Sequence, residues 1–130
     1  MEQKTHLLAS REFVGEVKQI QTDQQATVVL KTTDLMKVDE RGLVHGGFTF
    51  GLADYAAMTA VNDPFVVLLS SQVQFLRPIR AGDELTARAA VAERDGRRRK
   101  VRVEVFKDGE ERVFEGEFSC LILRNHVLEK

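Results

Sequence analysis

The sequence predicts an α+β domain in which one long central α-helix is wrapped by a curved antiparallel sheet of five to six strands. Two observations predict it. Short runs rich in β-branched and apolar residues alternate with polar turns, and a single segment has the length and composition of a helix. The chain has 130 residues, enough for one compact domain and too few for two ordinary ones. We therefore expect one domain over residues 1–130, with its core at about residues 13–123.

Candidate strands lie on both sides of the predicted helix. Residues 13–20 and 26–32 are joined by a polar turn, which suggests a hairpin. The apolar run at 65–76 stops before Pro78, because proline cannot donate to a sheet ladder, and it is typical of a well-buried strand. Three further strands are expected at about residues 84–94, 98–107 and 111–124.

Strict alternation in the last two strands indicates a sheet with one covered face. Val101, Val103 and Val105 alternate with Arg102 and Glu104, and the following strand has the same period. Asp-Gly pairs at 95–96 and 108–109 tolerate the positive φ of tight hairpins. The last three strands are therefore predicted to form a meander.

The predicted helix covers about residues 47–61. Leu52, Ala56 and Ala60 fall on one stripe, which neighbouring alanines widen with small side chains. Such a surface permits close approach of the helix to the sheet. The helix is expected to end before Pro64, because the residue preceding a proline is pushed out of the helical region.

Composition excludes several classes of protein. Nineteen basic and twenty acidic side chains give a net charge of -1, which is not the charge balance of a nucleic-acid binder. No run approaches the roughly 20 apolar residues of a membrane helix, and the first residues lack the apolar region of a signal peptide. The lone Cys120 favours a reducing compartment. We expect a cytoplasmic protein that binds neither nucleic acid nor membrane.

The most specific segment is Gly-Leu-Val-His-Gly-Gly-Phe-Thr-Phe-Gly-Leu-Ala-Asp at 42–54. It resembles the hotdog-fold acyl-CoA thioesterases, in the branch that includes the 4-hydroxybenzoyl-CoA and phenylacetyl-CoA pathway enzymes. That family carries His-Gly-Gly at the start of its central helix and an acidic residue nine positions after the His, and His45, Gly46, Gly47 and Asp54 match this pattern. Residues 73–83 also look like the strand and turn that follow the helix in this family. The resemblance covers about residues 13–123 and implies a hotdog fold.

The two glycines suit an oxyanion site. The first N–H groups of a helix have no intrahelical partner, and glycine lets a ligand approach them closely. With the positive end of the helix dipole behind them, they suit an oxygen that gains negative charge, as a thioester carbonyl does when attacked. The resemblance implies that the Gly46 amide has this role, with Gly47 as its neighbour.

Asp54 is the candidate general base or nucleophile, and the sequence does not choose between these roles. Eight residues of helix separate Gly46 from Asp54, so they lie roughly 12 Å apart along one axis. One chain cannot bring both to the same carbonyl, so Gly46 of one subunit should meet Asp54 of another. We expect a homodimer with antiparallel central helices, joined along the strand at 65–75. The sequence leaves open whether dimers pair into a homotetramer.

Two further residues flank this motif. His45 is expected to orient the loop or to contact the thioester region. Asp39 stands six residues before it, where the family commonly carries Asn or Gln. If Asp39 lies close to Asp54 across the interface, like-charge repulsion would raise a pKa and move the activity optimum upward in pH. The alternative is a loop carboxylate that faces solvent, and both interpretations stay open.

Residues for substrate binding are less sharply defined. The family often has a Ser or Thr after the helix near the attacking water, and Ser70, Ser71 and Gln72 are the candidates. Arg77 and Arg98, with their basic neighbours, could grip the phosphates of coenzyme A or could simply be solvated.

Four phenylalanines suit either an acyl pocket or the core: Phe48, Phe50, Phe65 and Phe75. His6 and His126 lie near the two ends of the sequence without metal-ligand spacing, so no metal site is indicated there. Cys120 falls on the apolar phase of the last strand and is expected in the core.

These residues lead to one preferred function. We expect an acyl-CoA thioesterase that hydrolyses an acyl-CoA to the free acid and coenzyme A without a cofactor or a metal. A non-catalytic acyl-CoA-binding module is the alternative, since the same fold serves as a ligand sensor in some regulators. The acidic residue at Asp54 argues against this alternative. We also expect no attached DNA-binding domain, which a regulator of this kind would need. A dehydratase or hydratase would need a differently placed His and carboxylate pair.

Overall fold

The computed structural model describes residues 1–129, and within them six strands form one antiparallel sheet around a long helix. The elements in chain order are α1 Arg11–Val14, β1 Glu16–Gln21, β2 Gln25–Lys31, a 3₁₀ turn Asp34–Met36, α2 Gly46–Val61, β3 Val66–Phe75, β4 Glu84–Asp95, β5 Arg98–Lys107 and β6 Glu111–Ile122. The strand order is β1-β2-β4-β5-β6-β3. The predicted α+β class is confirmed, as is the meander of the last three strands.

The core lies between α2 and one face of the sheet. The period of two in β4, β5 and β6 places every second side chain against the helix, and Val101, Val103 and Val105 are all fully buried. Phe114 and Phe118 of β6 are also fully buried, and Phe118 packs against Phe50 of the helix with ring centroids 5.5 Å apart. This apolar layer fixes α2 in depth and rotation.

The helix is buried more completely than the predicted single stripe allows. Every residue from Tyr55 to Val61 is buried. The face turned away from the sheet is covered by the segment that precedes α1, where the Gln3 side-chain amide donates to the Tyr55 hydroxyl at 2.9 Å. No helix among residues 1–129 is long and apolar enough to cross a membrane.

Asn62 joins the end of α2 to this preceding segment. It adopts a left-handed conformation (φ 55°), and its N–H donates to the Met58 carbonyl at 2.8 Å. Its side chain accepts the Lys4 N–H at 2.7 Å and donates to the Glu2 carbonyl at 2.8 Å and the Thr22 hydroxyl at 2.9 Å. One residue therefore ends the helix and anchors residues 2–4.

Two of the predicted strands differ from the structure. Residues 13–14 belong to the short helix α1 because Phe13 packs on Phe48 of α2, with ring centroids 6.0 Å apart, instead of entering the first strand. The prediction of a well-buried strand at 65–76 is also wrong, since β3 lies at the sheet edge and pairs with β6 alone. Leu69 and Phe75 of β3 are 49% and 56% exposed.

Candidate active site

The start of α2 presents two free backbone donors. His45 precedes the helix in an extended conformation, and its N–H donates to the Met36 carbonyl at 2.9 Å. The N–H of Val44 donates to the Ile79 carbonyl at 2.8 Å, so the approach to the helix is fixed on both sides. Within residues 1–129 the N–H groups of Gly46 and Gly47 have no hydrogen-bond partner. The structure therefore provides the donors that the sequence predicted at this point.

The space around these donors depends on the absence of side chains. A Cβ added to Gly46 would lie 3.1 Å from Cε1 of Phe75, and one added to Gly47 would lie 2.8 Å from Nε2 of His45. A groove of about 320 Å³ passes Gly46 and is walled by Phe75 and Arg77. A ligand in this groove can reach the start of the helix directly.

Asp54 lies two turns further along α2, in a different cavity. The cavity has a volume of about 370 Å³ and runs between α2 and the beginning of β3, with Met58 and Phe65 in its wall. Oδ1 of Asp54 is buried and has no hydrogen-bond partner within residues 1–129. Burial raises the pKa of Asp54, because the charged carboxylate is poorly solvated there. An unpaired carboxylate of this kind is suited to accept a proton or to attack a carbonyl.

The groove at Gly46 and the cavity at Asp54 share no lining residue. Helix geometry separates the two positions by roughly 12 Å. A single chain therefore does not bring the Gly46 N–H and the Asp54 carboxylate to one point. The expectation that Gly46 of one subunit meets Asp54 of another stays a prediction, and this separation agrees with it.

Strand register decides which β3 residue faces the helix. Ser71 lies opposite the buried Phe118, and residues directly opposite in an antiparallel pair point to the same face. Ser70 and Gln72 lie opposite Ser119 and Glu117 and so point to the outer face of the sheet. Of the three predicted candidates, Ser71 is the one on the same side of the sheet as Asp54.

The Asp39 side chain accepts hydrogen bonds within its own loop. Its Oδ1 accepts the N–H groups of Arg41 at 3.0 Å and Leu43 at 3.2 Å, and the residue is exposed. These bonds fix the turn that leads into His45. His45 itself is exposed and meets Phe48 edge to face, with ring centroids 6.0 Å apart. In the described chain Asp39 has the geometry of a residue that shapes the loop.

The predicted basic residues are dispersed. Arg77 lines the groove at Gly46, with its Nε 3.9 Å from Glu111. Arg98 lies at the turn between β4 and β5, on a different part of the sheet. Its neighbour Arg99 is paired with Asp23 at 2.8 Å. The structure thus brings Arg77, and not Arg98, to the start of the helix.

Cys120 is a core residue, as its phase in β6 predicted. It is 1% exposed, and its pKa is raised to about 12 by burial and, to a smaller extent, by the negative charge of Asp54. A thiol with this pKa is protonated at neutral pH and is a poor nucleophile.

The four candidate phenylalanines fall into two groups. Phe65 lines the cavity at Asp54 and Phe75 lines the groove at Gly46. Phe48 and Phe50 pack against other rings within the fold.

The cavity at Asp54 contains two histidines that the sequence did not predict as site residues. His6 and His126 both line the cavity that contains Asp54. They are 120 positions apart in the sequence, so no local spacing signals their approach. No group of three His, Cys, Asp or Glu side chains placed to hold a metal ion occurs within residues 1–129.

Comparison with known proteins supports the relationship that the motif suggests. The family model of the thioesterase superfamily matches residues 41–114, more than half of the chain. Among solved structures, an uncharacterized protein PH1136 from Pyrococcus horikoshii is 53% identical with a TM-score of 0.96, covering 99% of this chain and 98% of its own. The E. coli PaaI protein from the phenylacetic acid degradation operon is 26% identical with a TM-score of 0.77, covering 85% and 80%.

Two curated relatives carry different names. A methylthioribose-1-phosphate isomerase of Aquifex aeolicus is 49% identical over 123 residues, and a transcription factor FapR of Shouchella clausii is 29% identical over 112 residues. The aligned segments are 95% and 86% of this chain but 26% and 58% of those proteins, so the chain spans only part of their length. The family match and the hotdog arrangement of helix and sheet agree, and the chain belongs to the thioesterase superfamily.

Proposed function

We propose that this protein is an acyl-CoA thioesterase whose site is completed across a homodimer interface. The observation that carries the proposal is the partly buried Asp54 carboxylate, which has an oxygen without a partner and faces an open cavity. A carboxylate kept unpaired at a loss of solvation is typical of a functional group. The free N–H groups at Gly46 and Gly47 supply the complementary donors.

The proposed mechanism needs a donor for the negative charge that develops on the carbonyl oxygen and a carboxylate that removes a proton or attacks the carbonyl carbon. Gly46 and Asp54 supply these two groups. As an oxygen nucleophile adds to the thioester carbon, the carbonyl oxygen becomes negative and accepts hydrogen bonds from the Gly46 N–H of one subunit. Asp54 of the other subunit takes a proton from the attacking water, or attacks the carbon itself to give an anhydride that water then opens. In both routes the C–S bond breaks, the thiolate of coenzyme A leaves and is protonated, and the free acid remains.

The surroundings support a thioester substrate. Ser71 lies on the helix side of β3, where a hydroxyl can hold the attacking water. Arg77 borders the groove at Gly46, where a cation can meet the anionic carrier portion of coenzyme A. We propose both the contact of Ser71 with the water and the contact of Arg77 with coenzyme A as parts of this function.

The test is free-thiol release from short, long and aromatic acyl-CoAs by the wild type, Asp54→Asn and the control Asp34→Asn, whose carboxylate is exposed. We expect turnover by the wild type and the control, and a loss of about 10²- to 10⁴-fold in Asp54→Asn, the usual contribution of a general base. Full activity in Asp54→Asn would contradict the role of this residue.

A ligand-sensing module is the second candidate, and the similarity to FapR favours it. This candidate predicts tight binding of acyl-CoA with no thiol release from the wild type. Equilibrium binding measured beside the thiol assay separates the two candidates, because a sensor binds without turnover and a thioesterase consumes its ligand.

A further inference from the structure

The cavity beside Asp54 has polar lining residues that the hydrolytic mechanism does not use. Its lining combines apolar side chains, mainly from α2 and the start of β3, with Asp54 and three further polar residues, Thr5, His6 and His126. Apolar surface combined with a few placed polar groups is the usual design of a selective pocket. These three residues come from the segments before α1 and after β6.

The segment that carries His6 is held in a defined position. The two Asn62 contacts described above fix its backbone at Glu2 and Lys4. The Gln3 amide bridges the Tyr55 hydroxyl and the Thr5 carbonyl, both at 2.9 Å, and Tyr55 directly follows Asp54 on the helix. The wall that His6 forms is therefore tied to the element that carries the carboxylate.

His6 itself has the features of a positioned side chain. Its backbone has φ 55°, a conformation that non-glycine residues rarely adopt and that tends to occur at functional positions. Nδ1 lies 2.8 Å from the Thr5 hydroxyl, and Nε2 has no hydrogen-bond partner within residues 1–129. Partial burial lowers the pKa of His6 below its ordinary value and favours the uncharged ring, although the residue as a whole is exposed. With Nδ1 engaged by Thr5, Nε2 is the ring nitrogen that can donate to a ligand or accept from it.

We propose that His6 is a specificity-determining residue of this site, selecting acyl groups that carry an uncharged hydrogen-bonding group, such as a hydroxyl, away from the thioester. The proposal rests on the proposed function for its substrate. A hydroxyl can donate to Nε2 or accept from it, whichever the tautomer of the ring requires, whereas an alkyl end would displace water from Nε2 and leave this nitrogen without a partner. A carboxylate end gains no opposite charge from an uncharged ring.

The experiment compares two acyl-CoAs of equal heavy-atom count, ω-hydroxyhexanoyl-CoA and heptanoyl-CoA. The ratio of their kcat/KM values is measured for the wild type, His6→Gly, His6→Asn and the control Leu8→Ala. Glycine and asparagine both accept a positive φ, so these variants remove or shorten the side chain with little backbone strain. Leu8 lies on the same segment and is 99% exposed.

We expect the wild type and Leu8→Ala to favour the hydroxyl substrate by about tenfold, the factor of one well-made hydrogen bond. The ratio should fall close to one in His6→Gly and lie between these values in His6→Asn. A wild-type ratio near one, or the wild-type ratio retained in His6→Gly, overturns the proposal. If His6→Gly loses its thermal transition, His6→Asn decides in the same way.

The same pair of ligands separates this proposal from the thioesterase itself. Dissociation constants measured in the Asp54→Asn background report the preference without turnover. Absence of thiol release from every acyl-CoA contradicts the proposed function, and the ratio of dissociation constants in the wild type and in His6→Gly then tests His6. An equal ratio in the two proteins overturns the role of His6, and a ratio lost in His6→Gly supports it.

Discussion

At the scale of single residues, the proposed hydrolysis depends on the pH range over which Asp54 is ionised. Its carboxylate has a buried oxygen without a donor, so protonation relieves a loss of solvation and the pKa is raised. The reaction needs the deprotonated form. As pH falls, kcat/KM should therefore decline while an ordinary exposed Asp would still be ionised, and the acid limb of the profile should lie above the usual Asp range of about 4.

The pH profile of Asp39→Asn tests the two interpretations of Asp39. Asp39 already accepts two backbone N–H groups of its own loop, so we expect its replacement to leave the acid limb in place. If the limb moves to lower pH in Asp39→Asn, the two carboxylates repel each other across the interface and the loop interpretation is wrong. Asp34→Asn again supplies the exposed control.

The same carboxyl group has a consequence for stability. In the unfolded chain Asp54 ionises at its ordinary pKa, while the folded chain holds the proton to higher pH. The stability that this proton contributes is fully present below the unfolded pKa and is lost as pH rises through the folded pKa. The ionised group therefore destabilises the fold at pH 7.

We expect Asp54→Asn to be more stable than the wild type at pH 7, by about 1 kcal/mol, as is common when a functional group is neutralised. The advantage should shrink as pH falls through the raised pKa, because the wild-type carboxyl is then neutral too. Thermal unfolding of both proteins at several pH values measures it. A lower Tm for Asp54→Asn at pH 7 would mean that the charge has a stabilising partner in the assembled protein.

At the scale of the elements, β3 is an edge strand with exposed apolar side chains. Leu69 and Phe75 are about half exposed, and the side of the strand away from β6 has no neighbour within residues 1–129. An unpaired edge of this length is a template for pairing with another strand. The expected partner is β3 of a second subunit.

Leu69→Lys should weaken this pairing, because a lysine on an edge strand opposes strand addition. We expect the variant to shift toward monomer in sedimentation or light scattering and to lose activity in parallel, while it keeps a cooperative thermal transition at a Tm lowered by the loss of subunit binding. Leu8→Lys, at an exposed apolar residue outside the sheet, should remain a dimer. A dimeric Leu69→Lys variant would place the interface elsewhere.

The sequence predicted what depends on local pattern and motif. The alternation of Val101, Val103 and Val105 located β5 and its covered face, and the His-Gly-Gly motif located the start of α2. What it missed depends on contacts between distant segments. The burial of β3 is set by strand order, and the full burial of α2 is set by residues 2–6.

The β3 serines show why the site was only partly predictable. Leu68 faces the helix side opposite Cys120, so simple alternation would turn Ser70 inward. The register shifts between Leu68 and Ser70, and Ser71 is the residue that faces the helix side. A bulge of this kind leaves no clear trace in the sequence, and neither does the approach of His6 to Asp54.

At the scale of the whole molecule, the proposed mechanism requires a second chain. The donors at Gly46 and the carboxylate of Asp54 open into separate cavities of one protomer. A site assembled from one half of each subunit should be lost when either half is removed. It should return when two defective subunits with complementary defects are combined.

Asp54→Asn and Gly46→Pro form such a pair. Proline removes the Gly46 N–H at the first position of the helix, where it is well tolerated, and His45 before it already has the extended backbone that proline requires (φ -61°, ψ 129°). The new Cβ would come within 3.1 Å of Cε1 of Phe75, a residue that is 56% exposed, so a small shift of this ring would relieve the contact. The Gly46→Pro chain should therefore fold and dimerise.

Each variant alone should be inactive, and an equimolar mixture that has exchanged subunits should regain activity. Half of the dimers are then mixed, and each has one site with both Gly46 and Asp54 intact, so about a quarter of the wild-type activity is expected. The other site of the mixed dimer carries both defects and adds nothing. A mixture as inactive as its components, with exchange verified by differently tagged chains, would mean that each site is built within one chain. That outcome is unexpected because Gly46 and Asp54 lie roughly 12 Å apart along α2, and no single carbonyl can reach both.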